Sequence, residues 1–206
     1  MTEMVRRQAI DIVFEQVGGD DLVLTTTGLI SRESFASHDR PGNFYMIGSM
    51  GLLSSIGLGL ALLKPSRRVF VLEGDGSALM SLGAIPLIAS EAPRNLLHVI
   101  LDNEAYESTG GQPSITSRVD LAGIAEAAGY ARCAAVRTEK ELRHALAVAL
   151  AGAGPNLVLA KVGISSGHDL PRVGHSPLEI RDRFIAAAKT VASEVTGAIA
   201  GSNAGV

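Results

Sequence analysis

The chain has 206 residues, enough for one α/β domain with a substantial core, and its 47% hydrophobic and 19% charged residues exclude disorder throughout. A formal net charge of -3, from 18 basic and 21 acidic residues mixed along the chain, leaves no basic stripe to neutralise a nucleic-acid backbone. The single cysteine, Cys133, excludes an internal disulfide, and no charged n-region followed by an apolar h-region opens the chain, so a cytoplasmic protein is expected.

From the amino terminus, residues 2–17 carry Val5, Ile10, Val13, Phe14 and Val17 at helical spacing, and Gly18-Gly19 stops the pattern. Asp21 to Thr26 reads as the first strand and Ser31 to Ser37 as a short helix or loop. Residues 44–63 hold no charge, about the length of a membrane span. Four glycines (Gly48, Gly51, Gly57, Gly59) and three serines dilute that stretch, however, and no second such segment follows. It is expected to be a short strand, Phe44 to Ile47, and a buried helix, Leu52 to Leu63, that ends before Lys64-Pro65.

The rest alternates regularly. Strands are expected at Arg68 to Glu73, Asn95 to Leu101, Ala134 to Val136 and Asn156 to Val162. Helices are expected at Ala78 to Glu91, Leu121 to Ala128, Glu139 to Ala151 and Leu178 to Ala200, with an irregular loop through Gly110-Gly111-Gln112-Pro113. This order predicts an α/β fold of three layers, a mostly parallel sheet with helices on both faces. It forms one domain over residues 1–200, with 201–206 as a flexible tail. Ligands of such sheets bind outside the carboxyl ends of the strands, where Gly74 to Ser77 and Asp102 to Ala105 both fall.

Gly74-Asp75-Gly76-Ser77 is not a dinucleotide fingerprint, because Leu79 stands where the third glycine belongs. A carboxylate between two glycines would repel a pyrophosphate at a helix start unless a divalent cation lay between them. Magnesium needs only one or two protein oxygens beside phosphate and water, and Asn103 is placed to supply the second. The 28 residues from Asp75 to Asn103 span a helix, a turn and a strand, so adjacent parallel strands would bring the two together. Each residue alone has a plainer reading, Asp75 as a helix cap and Asn103 as a turn former.

The segments GDGSALM and LDNEAY resemble the signature of thiamine-diphosphate enzymes. That resemblance implies Asp75, Asn103 and the Ala105 carbonyl as Mg²⁺ ligands, and Gly74, Gly76 and Ser77 around the diphosphate of thiamine diphosphate. In Gly48-Ser49-Met50-Gly51 it implies Met50 as the wedge beneath the thiazolium ring and the Gly48 carbonyl as acceptor for the aminopyrimidine. Residues 39–62 and 101–114 further resemble sulfopyruvate and phosphonopyruvate decarboxylases, although the family often has Asn-Asn where Asp102-Asn103 stands.

The implied chemistry is decarboxylation of a small anionic 2-oxo acid, 3-sulfopyruvate before phosphonopyruvate. Another thiamine-diphosphate lyase subunit and a non-catalytic cofactor-binding subunit are the alternatives. The glutamate that activates the cofactor is expected in trans, from a pyrimidine-binding partner subunit in a hetero-oligomer, with neither membrane nor nucleic acid as a partner. Donors for the anionic head group are sought among His38, Arg40, Ser108, Thr109 and the Gly110-Gly111 backbone. Of the remaining polar residues, Glu104 and Glu107 read as solvated loop charges or as an acid and base. His98, inside an apolar strand, reads as a satisfied core residue, and His168 and His175 show no metal spacing.

Overall fold

The computed structural model describes residues 4–164 and 170–189. His168, the tail 201–206 and the second half of the expected terminal helix lie outside the described residues.

Six parallel strands form the central sheet: β1 (Leu22–Thr25), β2 (Asn43–Tyr45), β3 (Val69–Gly74), β4 (Leu96–Asp102), β7 (Arg132–Val136) and β8 (Asn156–Lys161), in the order β2-β1-β3-β4-β8-β7. A two-stranded hairpin, β5 (Ala105–Tyr106) with β6 (Gln112–Pro113), stands apart from it. Alternate side chains of each strand feed opposite layers. Phe70 and Leu72 pack with α1 (Arg6–Phe14), α2 (Leu29–His38) and α7 (Glu139–Leu150) on one face. Val69 and Val71 pack with α3 (Leu53–Leu63), α5 (Ala84–Glu91), α6 (Leu121–Ala128) and α8 (Pro177–Lys189) on the other. All seven residues of β4 are buried, as a central parallel strand covered on both faces requires.

The helix starts and stops follow local chemistry. Thr138 and Glu141 form a capping box at the head of α7. Asp120 caps α6, and Gly129, at φ 108°, ends it in the left-handed conformation. The uncharged stretch 44–63 divides into β2, a loop and α3, and no helix among the described residues is long and apolar enough to cross a membrane.

Three expectations are corrected or made definite. The helix expected over 78–91 begins earlier, as α4 (Asp75–Met80), and breaks at residues 81–83 before α5 resumes. The break is at a glycine, Gly83, the residue most easily spared from a helix. Ser31 to Ser37 lies inside a full ten-residue helix, α2. The loop through Gly110 is ordered by the β5–β6 hairpin and a 3₁₀ turn over Glu107–Thr109.

The chain leaves β1 for β2 at one edge and returns to β3 on the other side of β1, so the carboxyl ends of β1 and β3 bound the topological switch point. The approach of α3 to β3 there is close: a Cβ on Gly57 would lie 2.3 Å from Cγ2 of Val71. Gly57→Ala is therefore expected to lower stability by about 1–3 kcal/mol in urea denaturation, despite alanine's better helix propensity. Gly59→Ala, where nothing lies within 4 Å of the added carbon, is expected to stabilise slightly in the same measurement.

Candidate functional site

A cleft opens at the switch point between the segment after β1 (Thr26, Thr27), the start of α4 and the loop after β4. Of the residues singled out from the sequence, it brings together Met50, Gly74, Asp75, Gly76, Ser77, Asn103, Ala105 and Ser108. Gly48 and Ser49 are exposed and do not line it; Ser49 takes φ 54°, and a Cβ on Gly48 would meet nothing within 4 Å.

Asp75 is only 2% exposed. Its Oδ2 accepts hydrogen bonds from the hydroxyls of Ser114 and of Thr116, the latter at 3.2 Å. Thr116 also reaches Asp102 Oδ1 at 2.8 Å, joining the ends of β3 and β4 through one side chain. Burial pushes the Asp75 carboxyl above its ordinary range, and the nearby charge of Asp102 adds to the shift, while the hydroxyls oppose it. Asp102 has its own counter-charge, Lys161 Nζ at 2.6 Å, but no cationic side chain among the described residues pairs with Asp75.

Asn103 is oriented from both ends. Its Oδ1 accepts the backbone N–H of Ala105 at 3.1 Å, across Glu104 at φ 57°, and its Nδ2 donates to Glu107 Oε2 at 2.7 Å. Arg6 of α1 donates to that same Glu107 oxygen and makes a two-point contact with Glu33 at 2.9 and 2.8 Å. Glu107 is therefore neither a solvated loop charge nor a free acid or base: its side chain is 5% exposed, and its Oε1 is buried in the cleft wall without a partner. Glu104, in contrast, is half-exposed and pairs with Lys161 at 2.7 Å.

The Ser77 hydroxyl is used up internally. It donates to Glu73 Oε2 at 2.7 Å and accepts from Thr26 Oγ1 and from the Gly51 N–H, each at 3.2 Å. Only the backbone of Ser77 is left for a ligand, among the first-turn amides of α4 that have no partner within the helix. Glu73 in turn accepts from His98, whose other ring nitrogen faces the Tyr130 hydroxyl, so His98 is a satisfied core residue. Gly76 has to be glycine: a Cβ there would sit 2.4 Å from the Tyr106 ring and 3.1 Å from the Met50 methyl.

Two proposed anion donors are far from this cleft. His38 ends α2 and Arg40 follows it before β2, at the amino ends of the strands, because α2 carries the chain back across the sheet. There Arg40 binds the Asp21, Gly18 and Gly19 carbonyls, and His38 stacks on Phe14 and contacts Asp11. Thr109 is held by Tyr106 and Gln112 inside the hairpin turn. The sequence reading missed Arg6, Glu33, Ser114 and Thr116. The Ser-x-Thr pair just after the hairpin was a usable signal; Arg6, about a hundred positions from Glu107, gave none.

Among the described residues no three His, Cys, Asp or Glu side chains could together hold a metal ion. The donor set fits a hard cation that takes few protein oxygens and shares the rest with phosphate and water. Gly76, with no Cβ to fill the space beside it, and the unpartnered Glu107 Oε1 fit a ligand seated in the cleft.

The fold and cleft define a parallel α/β domain with a polar cleft at its switch point, the place where phosphate-bearing ligands bind in such sheets. Residues 27–160 match the family described as thiamine pyrophosphate enzyme, C-terminal TPP binding domain, and the chain belongs to that family. It is 42% identical over 179 residues to phosphonopyruvate decarboxylase of Streptomyces viridochromogenes, covering 87% of this chain and 45% of that protein. It thus spans under half the length of that relative. It is also 39% identical over 187 residues to sulfopyruvate decarboxylase subunit beta of Methanococcus maripaludis, covering 91% of this chain and 99% of that subunit. Among solved structures, the thiamine diphosphate-dependent 4-hydroxybenzoylformate decarboxylase of Rhodococcus jostii superposes with a TM-score of 0.70 at 20% identity, over 80% of this chain and 34% of that one, which shows the shared fold.

The Ser77 network yields a stability test. Ser77→Ala would leave Glu73 Oε2 without its donor at a position with 0% exposure, and a loss of about 1–3 kcal/mol in urea denaturation is expected.

Proposed function

We propose that this chain is the diphosphate-binding subunit of a thiamine-diphosphate- and Mg²⁺-dependent decarboxylase that acts on a small anionic 2-oxo acid, releasing CO₂ and an aldehyde. The observation that carries the reading is the buried Asp75 carboxylate, unpaired with any cationic side chain among the described residues, beside the oriented amide of Asn103. In this reading the Asp75 and Asn103 side chains and the Ala105 carbonyl hold Mg²⁺. The backbone of Gly74, Gly76 and Ser77, with Ser108, surrounds the diphosphate. Met50, whose methyl lies against Gly76, supports the thiazolium ring, and the Gly48 carbonyl receives the aminopyrimidine.

Thiamine diphosphate, when bound, would supply the electron sink that takes up the bonding electron pair left behind as CO₂ departs. The residues of this chain bind and orient it: Thr116 and Ser114 fix one oxygen of Asp75, and Arg6 with Glu107 fixes which end of the Asn103 amide faces the cation. The activating glutamate is assigned to a pyrimidine-binding partner subunit outside this sequence. The end-to-end match to a protein named as a beta subunit supports that assignment. It also supports 3-sulfopyruvate as the first choice of substrate. Phosphonopyruvate is the second reading, supported by the 46% identity to the Streptomyces hygroscopicus phosphonopyruvate decarboxylase.

Titration calorimetry of the full chain with thiamine diphosphate and Mg²⁺ tests the reading. Asp75→Ala is expected to lose at least about 100-fold in affinity, and Glu107→Gln about 10-fold, the effect of disturbing a residue behind a ligand. Cofactor binding by Asp75→Ala as tight as by the wild type would overturn it. Protons compete with the cation for Asp75, whose pKa is raised. The affinity is therefore expected to fall as the pH falls, starting at a higher pH than an ordinary carboxylate would impose.

A further inference from the structure

A second cleft, of ≈ 300 Å³, adjoins the first at the carboxyl end of β1. Its lining includes Thr27, Gly28, Arg32, Met46, Arg172 and Val173. Thr27 lines both clefts.

Its electrostatics are the reverse of the first cleft's. Neither arginine forms an ion pair among the described residues; the one hydrogen bond of Arg32 runs to the Leu170 carbonyl at 3.5 Å, the limit of such a contact. Glu33, next to Arg32 in sequence, is turned away and buried against Arg6, so it does not neutralise this cleft. The amino terminus of the ten-residue α2 opens here as well. Its cap, Gly28 at φ 93°, contributes no side-chain hydrogen bond, and its first turn holds no acidic residue. Two guanidinium groups and the positive end of a helix thus face one small space, and the Ser31 hydroxyl is occupied with the Thr26 carbonyl at 2.7 Å.

We propose that this cleft binds the tetrahedral oxyanion head, sulfonate or phosphonate, of the 2-oxo acid, with Arg32 and Arg172 as the residues that select it. The assignment rests on the functional reading above and replaces His38 and Arg40 as head-group donors. A three-carbon acid held by its head here has its oxo carbon directed past Thr27 toward the cofactor cleft. An acid without the second anion gains nothing from the arginines.

The test titrates sulfoacetate, phosphonoacetate and propionate by calorimetry into the full chain preloaded with thiamine diphosphate and Mg²⁺, which keeps the cofactor's own phosphates out of the comparison. Wild type is expected to bind the two dianionic probes at least about 10-fold tighter than propionate, and Arg32→Met and Arg172→Met each to abolish that preference. The tighter of the two dianions identifies the head group. Arg118→Met, in a separate cleft at the ends of β4 and β8, is expected to leave the preference unchanged, and cofactor affinity is expected to stay within about two-fold in all three variants. Arg32→Lys, which keeps the charge but loses the planar fork, is expected to fall in between and serves if Arg32→Met does not fold. A wild type that does not distinguish sulfoacetate from propionate, or arginine variants that keep the preference, would overturn the proposal. A wild type that takes up no thiamine diphosphate, alone or with the pyrimidine-binding partner subunit, sinks the functional reading instead, and the same titration without cofactor then still decides whether the arginine cleft binds oxyanions.

Discussion

The burial of the Asp75 carboxylate is the constraint around which the rest of the site is arranged. An ionised carboxylate at 2% exposure costs several kcal/mol unless it is paired or well hydrogen-bonded, and the fold supplies hydroxyls rather than a counter-charge. To bring those hydroxyls in, the chain after β4 turns through the β5–β6 hairpin and returns Ser114 and Thr116 to the end of β3. Thr116 has one proton for two carboxylates, Asp75 and Asp102, and so cannot satisfy both. The fold settles the competition by giving Asp102 to Lys161, at the end of β8, the strand inserted between β4 and β7. Asp75 is left as the carboxylate with room for an external cation.

The same region is tied to distant parts of the chain by saturated polar groups. Ser77 gathers Glu73, Thr26 and Gly51 on one hydroxyl, so the GSMG loop, the end of β1 and the start of α4 hold one another in register. Arg6 does the equivalent on the opposite side, where two carboxylates share its guanidinium and one of them passes the constraint to Asn103. Ser77, Glu73, Thr26, Arg6 and Glu33 are buried, and each would be expensive to leave unpaired. A ligand entering the cleft therefore meets donors whose positions are already fixed, which lowers the ordering cost of binding.

Much of this was legible in the sequence because periodicity and punctuation report local structure well. The β-α alternation located all six strands of the main sheet, and the spacing from Asp75 to Asn103 placed both on neighbouring strand ends. What escaped depends on contacts between residues far apart. Nothing near Glu107 signals that Arg6 will reach it, so a charge on a Gly-rich loop read as solvated when it is buried. Arg40 sits close in sequence to the GSMG loop, yet β2 lies between them and carries the chain from one end of the sheet to the other. The early start of α4 was obscured by Gly74 and Gly76, which look like loop residues, although Gly76 sits where close approach of Tyr106 and Met50 demands the smallest side chain.

The two clefts at the rim carry opposite signs, and that opposition has a consequence for orientation. On the cation side, Asp75 and the unpartnered Glu107 oxygen repel a dianionic head group unless metal and phosphate intervene; on the other side of Thr27, Arg32, Arg172 and the start of α2 attract it. An acid with an anion at each end could otherwise bind in either sense with similar energy. The field across Thr27 breaks that symmetry by repelling the wrong arrangement as well as attracting the right one. In the proposed arrangement the sulfonate or phosphonate end, whose three oxygens offer acceptors to both guanidinium groups at once, sits at the arginines. In that arrangement the carboxylate and oxo carbon of the acid are left facing the cofactor cleft.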